Sequence, residues 1–399
     1  MYKFILSILI LLPIIGFGQT PIDISNPPSE SIPSQTLAPA AEPAPESKLK
    51  FTSDFRFRIE QDWNSRNSDG SYREDRSRMV YRFRLGASYQ YNPWANFGAR
   101  IRTGNLSDQQ GPHVTLGGND GEFGTVQLGF EKLYFQYKQY GLTAWVGKNT
   151  FPFEKQNELF WNDNVFPEGL SVSYNIPSNT KLINSLMLNG SHFIISSNNQ
   201  SLAKDAYVQG VQLLSKHWKK KLTLFPSLYY FRNIANVPDK KGTYTQSYSI
   251  FHMGAYALIS QSPRIEIGGD YYQNLQNYNA NEFIPVAFKD EKTGWVVNVK
   301  LGQLQAKGDW EFQLYYAHLQ KYSIVDYFAQ NDWARWDYSA EDAAGTRLSN
   351  FHGAEMRLGY AFGKNFNLIL RNYLVEQLVA TGPSKENGNR IRLDLNIGF

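Results

Sequence analysis

From Phe51 to its last residue, the chain is built of segments in which apolar and polar residues alternate. Alternation with a period of two places successive side chains on opposite faces of an extended strand. About sixteen such segments follow one another without pause. They lie near residues 51–62, 76–91, 95–105, 125–138, 141–149, 167–176, 182–195, 206–216, 220–232, 247–260, 263–273, 292–302, 309–320, 349–363, 365–376 and 389–399. The pattern predicts an all-β chain whose strands each carry one apolar and one polar face.

The connections between these segments are alternately long and short. Long ones cover about 63–75, 106–124, 150–166, 196–205, 233–246, 274–291, 321–348 and 377–388, whereas short ones are turns such as Asn92-Pro93-Trp94 and Gly363-Lys364. Outer-membrane barrels have long external loops and short periplasmic turns, and a soluble β-sandwich has no reason to keep this alternation. We therefore predict an up-and-down antiparallel transmembrane β-barrel of about sixteen strands, in a range of about fourteen to eighteen, with both termini periplasmic.

The last strand is amphipathic up to the terminal residue. Its apolar face consists of Ile391, Leu393, Leu395, Ile397 and Phe399. In a soluble sheet this edge strand would leave a large apolar face to be covered. The strand resembles the C-terminal strand of bacterial outer-membrane barrels, which ends in Phe and is read by the assembly machinery. The resemblance implies that these five residues are an assembly signal, with outer-membrane lipid, the barrel-assembly machinery and periplasmic chaperones as partners.

The N-terminal region divides into two segments ahead of the barrel. Residues 1–18 have the positive start, apolar core and small-residue cleavage site of a secretory signal peptide. Residues 19–50 are rich in Pro, Ala and Ser, which predicts a disordered periplasmic leader. Residues 51–399 are assigned to the barrel. The mean hydropathy of −0.45 fits a barrel, which needs only every second residue to be apolar.

Arginines recur on the polar face of four strands that become neighbours when the barrel closes. Because charged groups are costly in lipid, this face is expected to line an aqueous lumen. The predicted basic wall consists of Arg56, Arg58, Arg82, Arg84, Arg100, Arg102, Arg390 and Arg392, flanked by Lys132, Lys148 and Arg371. Two interpretations hold side by side: the wall attracts anions, or the arginines pair with carboxylates such as Glu60 and Asp394 and stiffen the wall.

The third long connection is too aromatic for a solvated outer loop. We expect it to fold into the lumen, with Phe151, Phe153 and Trp161 packed against the wall and Glu154, Glu158, Asp163 and Glu168 facing the arginines. Acidic groups opposite basic groups would set a transverse field at a constriction. The alternative is a loop that packs only for rigidity.

The same loop carries a family resemblance. Its Gly147-Lys148 pair, Pro152-Phe153 and the later Pro167-Glu168-Gly169-Leu170 are similar to the outer-membrane barrels described as "putative porin", and more faintly to phosphate-selective porins and alginate-export barrels. The resemblance covers about residues 51–399 and implies passive passage of small solutes. The chain lacks the long lysine ladder of phosphate-selective porins, which argues against phosphate as the solute.

Motifs for other chemistry are absent from the sequence. The six histidines have no metal-ligand spacing, cysteine is absent, and no phosphate-binding glycine loop appears, so we predict no enzyme activity, no metal and no cofactor. The net charge of +4 does not suggest nucleic acid. We expect an outer-membrane porin for small, preferentially anionic solutes, and porins of this size are often homotrimers. Two alternatives stay open: export of an acidic, alginate-like polysaccharide, and a structural or adhesive barrel with a closed lumen.

Overall fold

The protein is a closed, antiparallel β-barrel of sixteen strands with almost no helix. The computed structural model describes residues 47–118, 123–178, 180, 182–199, 201–235, 245–334 and 348–399. The barrel strands are β1 Leu49–Trp63, β2 Arg76–Asn92, β3 Ala95–Thr103, β4 Leu128–Gln139, β5 Leu142–Lys148, β6 Glu168–Ile176, β7 Ile183–Ser196, β8 Ala206–His217, β9 Leu222–Ala235, β10 Thr245–Gln261, β11 Arg264–Asn274, β12 Thr293–Gly302, β13 Trp310–Leu319, β14 Phe351–Gly363, β15 Phe366–Gln377 and β16 Asn387–Gly398.

The barrel closes because its first and last strands pair with each other. Each strand is hydrogen-bonded to the next in sequence, and β16 pairs with β1 from Asp54 opposite Gly398 to Trp63 opposite Asn389. Beyond this ladder, Ser53 and Phe399 exchange backbone hydrogen bonds of 2.7 and 3.0 Å. Closure removes the free sheet edges that would leave backbone groups unsatisfied in hydrocarbon.

The sixteen predicted strands are confirmed, each with both ends within three residues of the predicted positions. Strand β1 begins at Leu49, two residues before the predicted start of the barrel. An additional two-residue strand, Val114–Thr115, pairs with Val80 and Tyr81 of β2 from within the second outer loop (residues 104–127). The predicted signal peptide and residues 19–46 of the predicted leader lie outside the described residues.

The outer face of the barrel is apolar, as the alternation requires. Leu393 of β16 lies between Ile59 of β1 and Leu370 of β15, all on this face. Phe399 is 77% exposed at the end of the same face. The aromatic residues at three short turns, Trp94, Tyr140 and Trp218, are also exposed, where an interfacial aromatic belt is expected.

In the described residues, helical structure consists of three short 3-10 turns in the connections. They are Leu202–Lys204, Val286–Phe288 and Asp326–Phe328. In the described part of the chain, no helix has the length and apolar character needed to span a bilayer.

The two faces of β16 and its neighbours should respond differently to a charged residue. We expect Leu393→Arg to lower the free energy of unfolding by about 2–4 kcal/mol, because an arginine in the middle of the lipid-facing band is poorly solvated. Asn367→Arg is the matched control, since Asn367 lies on the lumen face of β15 and bonds to Asn396. Urea unfolding of barrels refolded in lipid vesicles measures both, and equal losses would contradict the assignment of the faces.

Candidate functional site

The predicted arginines on β16, β1, β2 and β3 come together on the lumen face. Arg56 lies directly opposite Arg82, and Arg84 lies opposite Arg102. Like charges in direct cross-strand pairs destabilise a sheet unless other groups compensate them. We use "basic wall" for Arg56, Arg58, Arg82, Arg84, Arg100, Arg102, Arg390 and Arg392; on the next strand Arg371 extends it and makes ion pairs with Glu355 and Asp394.

Carboxylates on these strands and on β14, most of them buried, pair with most of these arginines. Asp394 accepts from Arg58 at 2.5 Å and from Arg392 at 3.2 Å. Asp62 binds Arg390 at 2.5 Å. Further pairs join Asp54 to Arg82, Glu60 to Arg76 and Arg78, and Glu355 to Arg357. The arrangement supports the interpretation that ion pairs stiffen the wall. Any attraction of anions then depends on the groups that stay unpaired.

Glu131 contacts three arginines of the basic wall, and this role was not predicted from the sequence. The register between β3 and β4 shifts between Arg100 and Ile101, so that β4 has one extra residue here. This bulge turns Glu131 into the lumen, where it contacts Arg84 at 2.7 Å and also Arg100 and Arg102. Phe130 and Leu133 are both exposed on the outer face, and their odd spacing is the signal that would have revealed the bulge.

The third outer loop (residues 149–167) packs on the opposite side of the lumen. Phe151, Phe153 and Trp161 are buried, as predicted for an inward loop. The ring of Phe153 lies 5.3 Å from that of Tyr229 on β9. The neighbouring Phe160 stacks on Tyr272 of β11 at 5.4 Å. The apolar groups of the loop therefore contact the lumen face of β9 to β11.

A second connection, the seventh outer loop (residues 320–350, described for 320–334 and 348–350), also folds against these groups, and this was not predicted. Phe328 stacks on Trp161 at 4.6 Å, and its carbonyl accepts from the Asn162 amide at 2.7 Å. Trp333 stacks on Phe351 of β14. The segment from Tyr322 to Trp333 is as aromatic as the third loop, so the same composition argument would have found it.

The structure divides the four acidic residues predicted to face the arginines. Glu158 and Asp163 line the same cavity as the basic wall. Glu154 does not: its carboxylate accepts from Tyr256 at 3.1 Å, and its backbone amide bonds to Gln212. The prediction for Glu154 is wrong because the aromatic packing of the loop turns this residue towards β8 and β10.

Lys148 and Glu168 also lie elsewhere than predicted. They are opposite each other at the ends of β5 and β6, and Lys148 is also opposite Leu133, which is 60% exposed on the outer face. Their side chains form an exposed ion pair of 2.6 Å. Lys148 is therefore not part of the lumen wall, and Glu168 is not part of the loop surface that faces it. Both predictions were wrong because the alternation of side chains along these two strands places Lys148 and Glu168 on the outer face of the barrel.

Lys132 lies on the lumen side, as predicted, and helps to hold the end of the third loop. Its Nζ donates to Thr150 at 2.5 Å and lies 5.1 Å from the ring centre of Phe166. The guanidinium of Arg100 lies 4.9 Å from the same ring. A cation above the face of an aromatic ring is attracted to the ring, so Phe166 holds the loop against the basic side of the lumen. Phe166 was not among the predicted loop residues.

A cavity of about 800 Å³ remains between the basic wall and the inward loops. Eleven arginines and four carboxylates line it. The arginines are Arg56, Arg58, Arg73, Arg76, Arg78, Arg82, Arg84, Arg357, Arg371, Arg390 and Arg392, and the carboxylates are Asp108, Glu158, Asp163 and Asp332. Arginines therefore outnumber carboxylates in the lining of the cavity, although every one of them except Arg56 is also paired with a carboxylate.

Two titratable groups of the outer loops face this arginine-rich surface. Burial works against the charge of the Asp332 carboxylate, but Arg392, Arg58 and Arg390 outweigh it and hold its pKa well below the usual range. Burial and the nearby Arg58, Arg56, Arg82 and Arg392 lower the pKa of His113 well below its ordinary value. Asp332 is consequently ionised, and His113 is neutral, at neutral pH.

A closed barrel of this size, with a polar lumen narrowed by inward loops, has the architecture of an outer-membrane porin. The family described as "Putative porin" matches residues 70–282, which is more than half of the chain, and the protein belongs to this family. A comparison with curated protein sequences finds no match.

Solved porin structures share the fold at low sequence identity. Pseudomonas putida OprB has a TM-score of 0.55 and 12% identity, covering 88% of this chain and 94% of its own. Salmonella typhi OmpF has a TM-score of 0.51 and 10% identity, with coverage of 88% and 98%. At this identity the likeness shows the barrel fold.

Removing the Glu131 carboxylate should destabilise the wall. Among the described residues, Arg84 and Arg100 have no other carboxylate within 4.0 Å. We expect Glu131→Gln to cost about 3–5 kcal/mol of unfolding free energy, because it leaves buried charges without a partner. Glu168→Gln, which breaks an exposed pair, should cost about 0–1 kcal/mol. Urea titration in vesicles compares them, and a Glu131 variant as stable as the control would refute this role.

Proposed function

We propose that the protein is an outer-membrane porin through which small hydrophilic solutes diffuse passively, with a preference for anions. The observation that carries the proposal is the excess of arginines over carboxylates around the lumen cavity. A lumen lined by one sign of charge raises the local concentration of solutes of opposite charge. The protein acts here as a channel, with no catalytic role for its lumen residues.

The preference should be set where the inward loops face the basic wall. Glu158 and Asp163 of the third loop line the same cavity as the arginines of β1, β2 and β16, and Asp163 is also paired with Lys155 of its own loop at 2.5 Å. A solute passing between them would meet a transverse field that orients its charged group. The packing of Phe151 and Trp161 holds the loop in this position and supports a constriction rather than a mobile lid.

Two alternatives make different demands on the lumen. Export of an acidic polysaccharide requires a continuous path wide enough for a polymer, whereas two loops pack inside this barrel. A structural or adhesive barrel would conduct no ions. The small-solute channel therefore agrees best with a narrowed lumen that keeps an arginine-rich cavity.

The remaining features of the proposal concern assembly. The apolar face that ends at Phe399 is proposed as the signal for the barrel-assembly machinery and periplasmic chaperones, after export by a cleaved signal peptide. Both termini would then lie in the periplasm. A homotrimer in outer-membrane lipid stays a prediction, which cross-linking of the membrane-embedded protein can test.

Planar-bilayer recording of the purified barrel tests the conduction. In a KCl gradient we expect the reversal potential to be displaced towards the chloride equilibrium potential, which indicates that chloride permeates more readily than potassium. An absence of conductance, or a preference for potassium, would refute the proposal.

The two loop carboxylates provide a sharper test. Glu158→Gln together with Asp163→Asn removes two negative charges from the cavity, so the reversal potential should move further towards the chloride equilibrium potential. Glu168→Gln is the matched control, because that carboxylate lies on the outer face in an ion pair with Lys148. Unchanged selectivity and conductance in the double variant would show that the loop does not shape the permeation path.

A further inference from the structure

Arg56 differs from the other arginines of the basic wall in its partners. It lies on the lumen face of β1, half-buried, and its Nε donates to the side-chain oxygen of Asn396 at 2.6 Å. Each of the other seven members has a carboxylate within 4.0 Å. Among the described residues none lies within that distance of Arg56. Its two terminal nitrogens are therefore available to an anion in the cavity.

A second unpartnered group lies close by. His113 belongs to the second outer loop, where the adjoining strand Val114–Thr115 pairs with β2 and fixes the histidine next to the basic wall. Its Nε2 is buried and has no hydrogen-bond partner among the described residues. A buried polar atom left unsatisfied carries a free-energy cost, unless a ligand supplies the partner.

Charged groups from several elements face His113 or its cavity. Arg56 and Arg58 of β1, Arg82 of β2 and Arg392 of β16 act on it directly. The loops add carboxylates to the cavity lining: Asp108 from the histidine's own loop, Glu158 and Asp163 from the third loop, and Asp332 from the seventh. The four nearby arginines dominate, so the surroundings of His113 are cationic before any solute enters.

We infer that Arg56 and His113 together bind the carboxylate of a small organic anion, and that His113 takes up a proton when the anion binds. The inference rests on the proposed function, since it takes the cavity as open to solutes. A carboxylate suits this pair because its two oxygens can accept from the terminal edge of a guanidinium and from an imidazolium N–H at once.

The proton uptake follows from the electrostatics. Without a ligand, burial and the arginines keep the pKa of His113 well below its ordinary value. A bound carboxylate cancels part of the arginine field and raises that pKa. Linkage then makes binding tighter as pH falls through the bound-state pKa, and the affinity levels off below the free-state pKa. The affinity should therefore keep rising as the pH falls below the bound-state pKa, until the pH reaches the free-state pKa, which lies well below the ordinary value of a histidine.

Isothermal titration of the folded, detergent-solubilised barrel with benzoate tests the inference. Titrations in two buffers of different ionisation enthalpy give the number of protons taken up. We expect fractional uptake in the wild type, none in His113→Gln, and a loss of affinity of about tenfold or more in Arg56→Gln, because a charge-assisted hydrogen bond is removed. Glutamine at position 56 can keep the hydrogen bond to Asn396.

Arg78→Gln is the matched control. Arg78 lines the same cavity but is paired with Glu60, so its loss removes the same charge without removing a free donor. We expect it to weaken benzoate binding by less than about threefold, as a distant charge in a screened lumen would. Heat-modifiable migration on gels checks that each variant is folded. Should Arg56→Gln not fold, the proton count in His113→Gln decides the inference by itself.

Three outcomes would overturn the inference: equal losses in the Arg56 and Arg78 variants, heats that do not depend on the buffer, or inorganic phosphate binding as tightly as benzoate. Weaker phosphate binding supports the carboxylate. Bilayer recording of the same preparation separates the two proposals. Anion-selective conductance without proton uptake would overturn the subsite alone, whereas proton-linked benzoate binding in a non-conducting barrel would overturn the proposed function alone.

Discussion

The lumen of this barrel depends on the packing of aromatic rings from two loops against one side of its wall. Sixteen strands enclose a space too wide for wall side chains to fill. Here Trp161 is stacked between Phe151 at 4.2 Å and Phe328 at 4.6 Å, so that the third and seventh outer loops share one apolar cluster. That cluster also contains Tyr229 and Tyr272 of the wall. Burial of these rings fills the side of β9 to β14 and leaves the opposite, basic side as the remaining aqueous space.

The basic side is stable only because carboxylates are shared among several arginines. Neighbouring strands place arginines directly opposite one another, which a sheet tolerates poorly. Asp394 contacts Arg58, Arg371 and Arg392, and is itself fully buried. Glu131 serves three arginines in the same way, at the cost of a bulge in β4. Each carboxylate thus stabilises more than one positive charge, and the wall stays rigid while it keeps a net positive charge.

The sequence was sufficient for what depends on local periodicity. The alternation of side chains located all sixteen strands and put the wall arginines in one lumen face, because a strand's two faces are fixed by its own residues. It was insufficient where the position of a side chain depends on another part of the chain. The lumen position of Glu131 depends on the register between β3 and β4, which the spacing of Phe130 and Leu133 indicates only indirectly. The outward position of Lys148 and Glu168 depends on which face the ends of two short strands present. The aromatic composition of the seventh loop indicates an inward loop, but its contact with Trp161 joins two distant loops and could not be predicted from local sequence.

Pairing most of the arginines also has a consequence for transport. A channel must attract its solute and then release it, so binding in the lumen has to stay weak. A wall of uncompensated arginines would hold an anion too strongly to pass it on, and a fully compensated wall would not attract one. The carboxylates of this wall leave Arg56 as a free donor in the same cavity as His113, and these are the two groups that we propose to hold an anion. The ion pairs that stabilise the barrel therefore also limit the strength with which it can hold a solute.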